Sequence, residues 1–442
     1  MEPSGADDTI FALATPPGRG AIAIVRVSGA RTRDVIEAAT GRPPPPPRVA
    51  SLRRIRSRTG DVVDQAMLVF FGGPSSYTGE DLVEFHLHGG IAILEAFFEI
   101  LRKAGVRPAE PGEFTRRAVE NGKFDLTQAE AIADLVDAET EAQRKQAISQ
   151  YGGALVRTYE RWRENLVRCI ALAEAAIDFS DEELPGNLVA QARARARNAA
   201  LEIQQHLSDG RRGEILRNGL YLTVIGPPNA GKSSLVNALA KRDVAIVSDQ
   251  PGTTRDVIEV HLDLGGYPVI IADTAGLRES AEPIESEGVR RALARARDAD
   301  LVLLLLDGAN PTSAAIPGLT RAPDLVVWNK ADLPWQQIDK AGLRISAATG
   351  QGLSELIDAI TLCARAKLEH PPELAVLTRE RHRRALEDAL AALTRAGGEE
   401  DRPAEFVAED LRLAVRAIGR ITGTVDVEDV LDQIFREFCI GK

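Results

Sequence analysis

The stretch GPPNAGKSS, Gly226 to Ser234, places a glycine-bounded loop, a lysine and two hydroxyls directly after the apolar run LYLTVI. Phosphates carry dense negative charge, and backbone N–H groups and a helix N-terminus surround them only where glycines let the chain approach. Asn229, Ala230, Gly231, Lys232, Ser233 and Ser234 are therefore read as a phosphate loop. Lys232 would reach the terminal phosphates and Ser233 would ligate Mg2+. Three further pieces follow in the expected order: DTAG (Asp273, Thr274, Ala275, Gly276), NKAD (Asn329, Lys330, Ala331, Asp332) and SAA (Ser346, Ala347, Ala348). Each tetrapeptide alone is compatible with a surface loop; their order is the signal. A carboxylate at Asp332 accepts from the N1–H and exocyclic amine of guanine, whereas adenine offers an acceptor there, so the expected enzyme is a GTPase binding GTP rather than ATP.

Between the loop and DTAG lies VSDQPGTTRD, which contributes Ser248, Asp249, Gln250, Pro251, Gly252, Thr253 and Thr254. Thr254 is the expected second magnesium hydroxyl, Thr253 its loop partner, and Pro251 with Gly252 suits a switch loop. The residue after DTAG is Leu277, so no glutamine stands there to orient the attacking water. Asn229 either helps hold a monovalent cation beside the phosphates or braces the loop.

Short apolar strands alternating with helices from Leu220 to about Ala366 predict a largely parallel sheet around this site. Helical patterns flank it on both sides. Asp125 with Gln128 reads as a capping box, and Leu126, Ala129, Ile132, Ala133 and Val136 share one helical face. Gly152 and Gly153 interrupt the run; further helices are predicted to about Phe179 and from Leu188 to about Leu207. Arg193, Arg195 and Arg197 do not share a face and are read as solvated. The first ~120 residues write strand, turn, strand, helix twice, joined by PPPPP at Pro43 to Pro47, and predict one α+β domain.

Three scattered cysteines among 442 residues, no basic n-region in MEPSGADDTI and no apolar run long enough for a bilayer predict a cytoplasmic chain without a membrane segment. The net charge of −11 argues against a general attraction to DNA or RNA, so any RNA contact must be local or assisted. The ending FCIGK holds Cys439 three places from the C-terminus. A lipidation box is disfavoured by Gly441 and Lys442, which leaves a reactive thiol or simple packing.

The duplicated first half, GPPNAGKSS with PGTTRD, the stretch FTRRAVENGKFDLTQAEAIADLVDA and the terminal CIGK together resemble the MnmE (TrmE) family of tRNA-modification GTPases across essentially the whole chain. The resemblance implies a multidomain α+β and α/β protein. Its parts are an N-terminal α+β domain (1–121) that dimerises and binds tetrahydrofolate, a discontinuous helical domain (122–217 and 374–442) and an inserted Ras-like P-loop GTPase domain (218–373). It further implies a homodimer, a complex with the flavoprotein MnmG (GidA), and an aminomethyl or carboxymethylaminomethyl group installed at C5 of wobble uridine in tRNA. The carbon would come from 5-formyl- or 5,10-methylene-tetrahydrofolate, contacted by Arg26, Glu84, Lys123 and Lys442. The resemblance also implies K+ held by Asn229, Ser248, Gln250 and Thr253, water oriented through Glu285, and Cys439 beside the one-carbon unit. A ribosome-assembly or translation GTPase acting as a nucleotide-controlled switch is the alternative.

Overall fold

The computed structural model describes residues 8–179, 187–246, 259–272, 294–310, 319–334, 341–369, 376–398 and 401–425, together with Leu431, Ile434, Phe435, Phe438 and Gly441. The chain divides into two compact units, one of residues 1–133 with 418–442 and one of residues 134–417.

In the first unit, six strands form one sheet among the described residues: β1 (Ile10–Leu13), β2 (Ile22–Ser28), β3 (Ser51–Arg56), β4 (Val62–Phe71), β5 (Leu82–His88) and β6 (Arg107–Pro108), in the order β3-β4-β5-β2-β1-β6. The pairs β1–β2 and β4–β5 are antiparallel hairpins, and β2 meets β5 antiparallel at the centre. The two strand-turn-strand-helix patterns thus lie about a pseudo-twofold axis between β2 and β5. Their helices, Thr32–Thr40 and Ile91–Lys103, bury Val35, Ile36, Leu94, Phe97 and Leu101 against Val25, Val27, Leu68, Phe85 and Leu87 of the sheet. Strand alternation sends the intervening residues to the opposite face. After the helix Glu113–Glu120, Asp125 caps a further one, accepting from the amides of Thr127 (2.8 Å) and Gln128 (3.1 Å), while Gln128 Oε1 accepts from the Asp125 amide (3.2 Å). On that helix, Leu126–Asp137, Leu126 and Ala129 are buried against Leu431, Ile434, Phe435 and Phe438, but Val136 is exposed. Thr127 and Glu130 are buried instead.

In the second unit, the helices Ala154–Asp178, Leu188–Leu207 and Glu380–Ala396 pack together. Tyr159, Trp162, Leu166, Cys169 and Ala173 recur at helical spacing on one buried face, and Ala192, Ala196 and Ala199 on another, where small side chains let helices approach. Burial pushes the Cys169 thiol up, so it packs rather than reacts. Arg193 corrects the solvated reading of its neighbourhood: it is 3% exposed and donates to the Arg402 carbonyl, whereas Arg195 and Arg197 are exposed.

Between the helical segments, six described strands form a second sheet: β7 (Leu220–Ile225), β8 (Glu259–Leu264), β9 (Tyr267–Ala272), β10 (Leu301–Asp307), β11 (Leu325–Asn329) and β12 (Leu343–Arg344), ordered β12-β11-β10-β7-β9-β8. All neighbours are parallel except β8 and β9. Residues on either side of this α/β insertion meet. Arg383 donates to Glu214 Oε1 and Asp209 Oδ1, both at 2.8 Å, and to the Leu207 carbonyl. Asp134 Oδ1 accepts from Arg217 (2.7 Å) and Arg379 (2.6 Å).

Removing Arg383 takes a charged partner from two mostly buried carboxylates, leaving Glu214 with Arg211 and Asp209 with the Arg211 amide. Arg383→Met should therefore destabilise the protein by ~1–3 kcal/mol in denaturant titration. Arg412→Met, which breaks an exposed pair with Glu174, should leave the midpoint nearly unchanged. Equal losses in the two variants would sink the role of the Arg383 clasp.

Candidate functional site

β7 stands between β10 and β9, and the chain leaves β7 and β10 toward opposite edges of the sheet. That reversal opens a crevice beyond the carboxyl ends of the strands, and the phosphate loop occupies it. A Cβ on Gly226 would lie 2.1 Å from the Leu305 carbonyl oxygen, so the loop runs directly over β10. Gly231 has φ +92°, and a Cβ there would lie 2.3 Å from Asn329 Nδ2; only glycine fits. Asn229 adopts φ +62°, a left-handed conformation that asparagine tolerates. The helix Lys232–Ala240 begins without a side-chain cap, so its first amides face the loop as donors for phosphate oxygens. Lys232 Nζ spans the loop, donating to the carbonyls of Gly226 and Pro227 at 3.0 Å each, and burial pushes its pKa below the ordinary lysine value. Ser233 is half-buried on the first turn and Ser234 is exposed. An uncapped helix start, a lysine and a hydroxyl make a donor set that fits a magnesium-bound nucleotide.

Asn329, 3% exposed at the end of β11, joins two loops. Its Nδ2 donates to the Ala230 carbonyl (2.8 Å) and its Oδ1 accepts from the Ala347 amide (3.0 Å). Lys330 is left-handed at φ +66° and pairs with Asp307 Oδ2 at 2.7 Å. Burial pushes the Asp307 carboxyl up, but the Lys330 ammonium and the amides of Ala309 and Asn310 outweigh it and hold the pKa below the usual carboxylate range. The Ala331 amide donates to Ile345. Ser346, fully buried, donates to Asp332 Oδ1 at 2.5 Å and accepts from the Thr349 amide, which aims the exposed Asp332 carboxylate; Ala348 is exposed beside it. Asp307 escaped the sequence reading. Its signal was a lone carboxylate ending the otherwise apolar LVLLLLD.

Ser248, Asp249, Gln250, Pro251, Gly252, Thr253, Thr254, Asp273, Thr274, Ala275, Gly276, Glu285, Cys439 and Lys442 lie outside the described residues. Of the expected cation ligands, Ser233 and Asn229 are described.

The first unit holds a second polar junction. Arg26 and Glu84 face each other across β2 and β5, and the guanidinium reaches Glu84 Oε1 at 2.8 and 3.2 Å. Its remaining nitrogen donates to the Gly441 carbonyl at 3.3 Å, joining residues 415 apart in sequence. Gly441 has φ +102°, and a Cβ there would meet the Leu13 carbonyl oxygen at 2.3 Å. The rings of Tyr77 and Phe114 lie 5.5 and 5.8 Å from the guanidinium carbon, close enough for cation–π attraction. Lys123 is exposed and donates to the Pro74 carbonyl at 2.9 Å. Below the junction, Ser28 Oγ donates to Glu80 at 2.8 Å and Arg117 reaches the same carboxylate at 3.3 Å. The sequence reading missed the two rings and this network, since apolar and polar residues of β-hairpins reveal no partner by spacing alone.

Among known proteins, the family described as GTP-binding protein TrmE N-terminus matches residues 9–123, and the MnmE helical domain matches residues 126–439. The tRNA modification GTPase MnmE of Parvibaculum lavamentivorans is 53% identical over 98% of this chain and 100% of its own length. The protein of the same name from Paramagnetospirillum magneticum is 52% identical with the same coverage. The G domain of the T. maritima FeoB iron transporter aligns with 33% of this chain and 98% of its own at 27% identity, with a TM-score of 0.26. With both of its folded parts matched and half of all positions identical over the full length, the chain belongs to the MnmE family of tRNA modification GTPases.

Proposed function

We propose that this chain is the potassium-dependent, GTP-hydrolysing member of a cytoplasmic wobble-uridine modification complex. It acts as a homodimer with the flavoprotein MnmG, and the pair adds an aminomethyl or carboxymethylaminomethyl group at uridine C5 of tRNA. The carbon comes from 5-formyl- or 5,10-methylene-tetrahydrofolate. The observation that carries the nucleotide half is Asn329, which ties the phosphate loop to the Ser346–Ala348 loop while Ser346 orients Asp332. A carboxylate held in that way suits the two donors of guanine.

Each residue has a definite task in this reading. The loop amides and Lys232 hold the phosphates in line for attack. Ser233 and Thr254 hold Mg2+, which when bound neutralises charge on the transferred phosphoryl group. Asn229, with Ser248, Gln250 and Thr253, holds K+, and Glu285 orients water where Leu277 cannot. Arg26, Glu84, Lys123 and Lys442 contact the folate, and Cys439 belongs to the same pocket. The mostly buried Arg26, within cation–π reach of Tyr77 and Phe114 and held by Glu84 and Gly441, supports an anionic, aromatic ligand there.

Digestion of tRNA from a deletion strain, with and without the restored gene, tests the pathway: the wobble modification should vanish and return. Unchanged nucleosides with depleted ribosomal subunits would overturn it in favour of a ribosomal switch. Asp332→Asn should lower kcat/KM for GTP by at least about 100-fold and gain activity on the xanthine nucleotide, whose base presents a carbonyl there. Unaltered base preference would remove Asp332 from recognition. Replacing potassium by sodium at constant ionic strength should slow turnover roughly 10- to 100-fold; equal rates would discard the cation site.

A further inference from the structure

Residues 38–60 contain six arginines (Arg42, Arg48, Arg53, Arg54, Arg56 and Arg58), no lysine and no acidic residue, in a chain whose net charge is −11. They belong to β3 and the segments on either side of it, and β3 is one of the two edge strands of the first sheet. Arg54 and Arg56 point to the exposed face, Arg58 sits in the turn before β4, and Arg42 and Arg48 are exposed ahead of the strand. None of the six pairs with a carboxylate among the described residues. Arg53 donates to Ser51, Arg56 to the Gly60 carbonyl and Arg48 to the Ser75 carbonyl. Elsewhere in the unit, Arg26, Arg33, Arg107 and Arg117 are all matched by carboxylates.

We propose that the β3 edge is a tRNA-contacting surface that takes the ribose-phosphate backbone. This rests on the tRNA-modifying reading and deepens it. Three observations favour that occupant. The side chains are exclusively arginine, whose planar fork suits phosphate oxygens. Residues two apart on a strand are about 6.8 Å from each other, close to the separation of successive phosphates along a nucleic-acid strand. Against a net charge of −11, a local basic edge biases the orientation of approach. Protection of an edge strand against aggregation would use such charges as well, but it does not require a 23-residue window free of acids and lysines.

The test is fluorescence anisotropy of a labelled, unmodified tRNA transcript titrated with the full-length chain at several salt concentrations. The triple variant Arg54→Ala, Arg56→Ala, Arg58→Ala should bind at least about tenfold more weakly, and its log Kd against log salt slope should fall by about 2–3. GTP turnover without tRNA and the elution volume should stay at wild-type values. The triple lysine variant should keep most of the slope. Unchanged Kd and slope would overturn the proposal, as would an altered oligomeric state with tRNA binding intact, which would make the edge a protein interface. If the wild-type chain binds no transcript, the proposal also falls, whereas the pathway assignment is judged separately by the wobble nucleosides of the deletion strain.

Discussion

An inserted domain is tolerated only if the chain that leaves its host returns to the same place, and in this protein that closure is made at backbone contact distance. A Cβ on Gly213 would stand 2.2 Å from the Leu377 carbonyl oxygen, so the outgoing and returning segments touch main chain to main chain. Charged side chains then lock the crossing. Arg383, from the returning helix, satisfies Asp209 and Glu214 on the outgoing segment, while Asp134 receives Arg217 from one side and Arg379 from the other. Gln150 adds a hydrogen bond to Thr378 at 2.7 Å. Buried ion pairs of this kind contribute specificity of position more than net stability. Here they join the segments that leave and re-enter the helical scaffold on either side of the second sheet.

The same use of close backbone approach recurs in the site. Gly226 lets the phosphate loop cross β10, and Gly231 makes room for the Asn329 amide. Asn329 is then a structural bolt between loops as well as part of a recognition motif. Its carboxamide can donate to Ala230 and accept from Ala347 at once, which neither Asp nor Leu can do. The Gly226–Ser234 loop and the Ser346–Ala348 loop are therefore mechanically joined through one buried side chain. In the first unit, Gly441 plays the comparable part, bringing a carbonyl onto Arg26 at a point where any side chain would strike Leu13.

Local chemistry made much of this legible from sequence. The capping box of Asp125 and Gln128, the break at Gly152 and Gly153, the two strand-turn-strand-helix patterns and the alternation of strands with helices after Leu220 all depend on residues a few positions apart. The phosphate loop and the NKAD and SAA segments were visible for the same reason, since each follows its strand directly.

Other features depend on partners far away in the chain, and no spacing rule reaches them. Arg193 looks like a solvated member of an arginine series, yet its burial is set by Arg402, 209 residues on. Val136 continues the apolar stripe of its helix but is exposed, because a stripe records periodicity and not how far the neighbouring surface extends. The pairing of Lys330 with Asp307 and the meeting of Arg26 with Gly441 are likewise products of topology. Sequence alone determined where the glycine-bounded loop follows its strand and the type of the alternating strands and long helices, because glycine φ, helix caps and strand alternation are local free energies. Tertiary structure decided which charges are buried, which are matched and which residues converge, because desolvation and pairing depend on what the rest of the chain brings within a few ångströms.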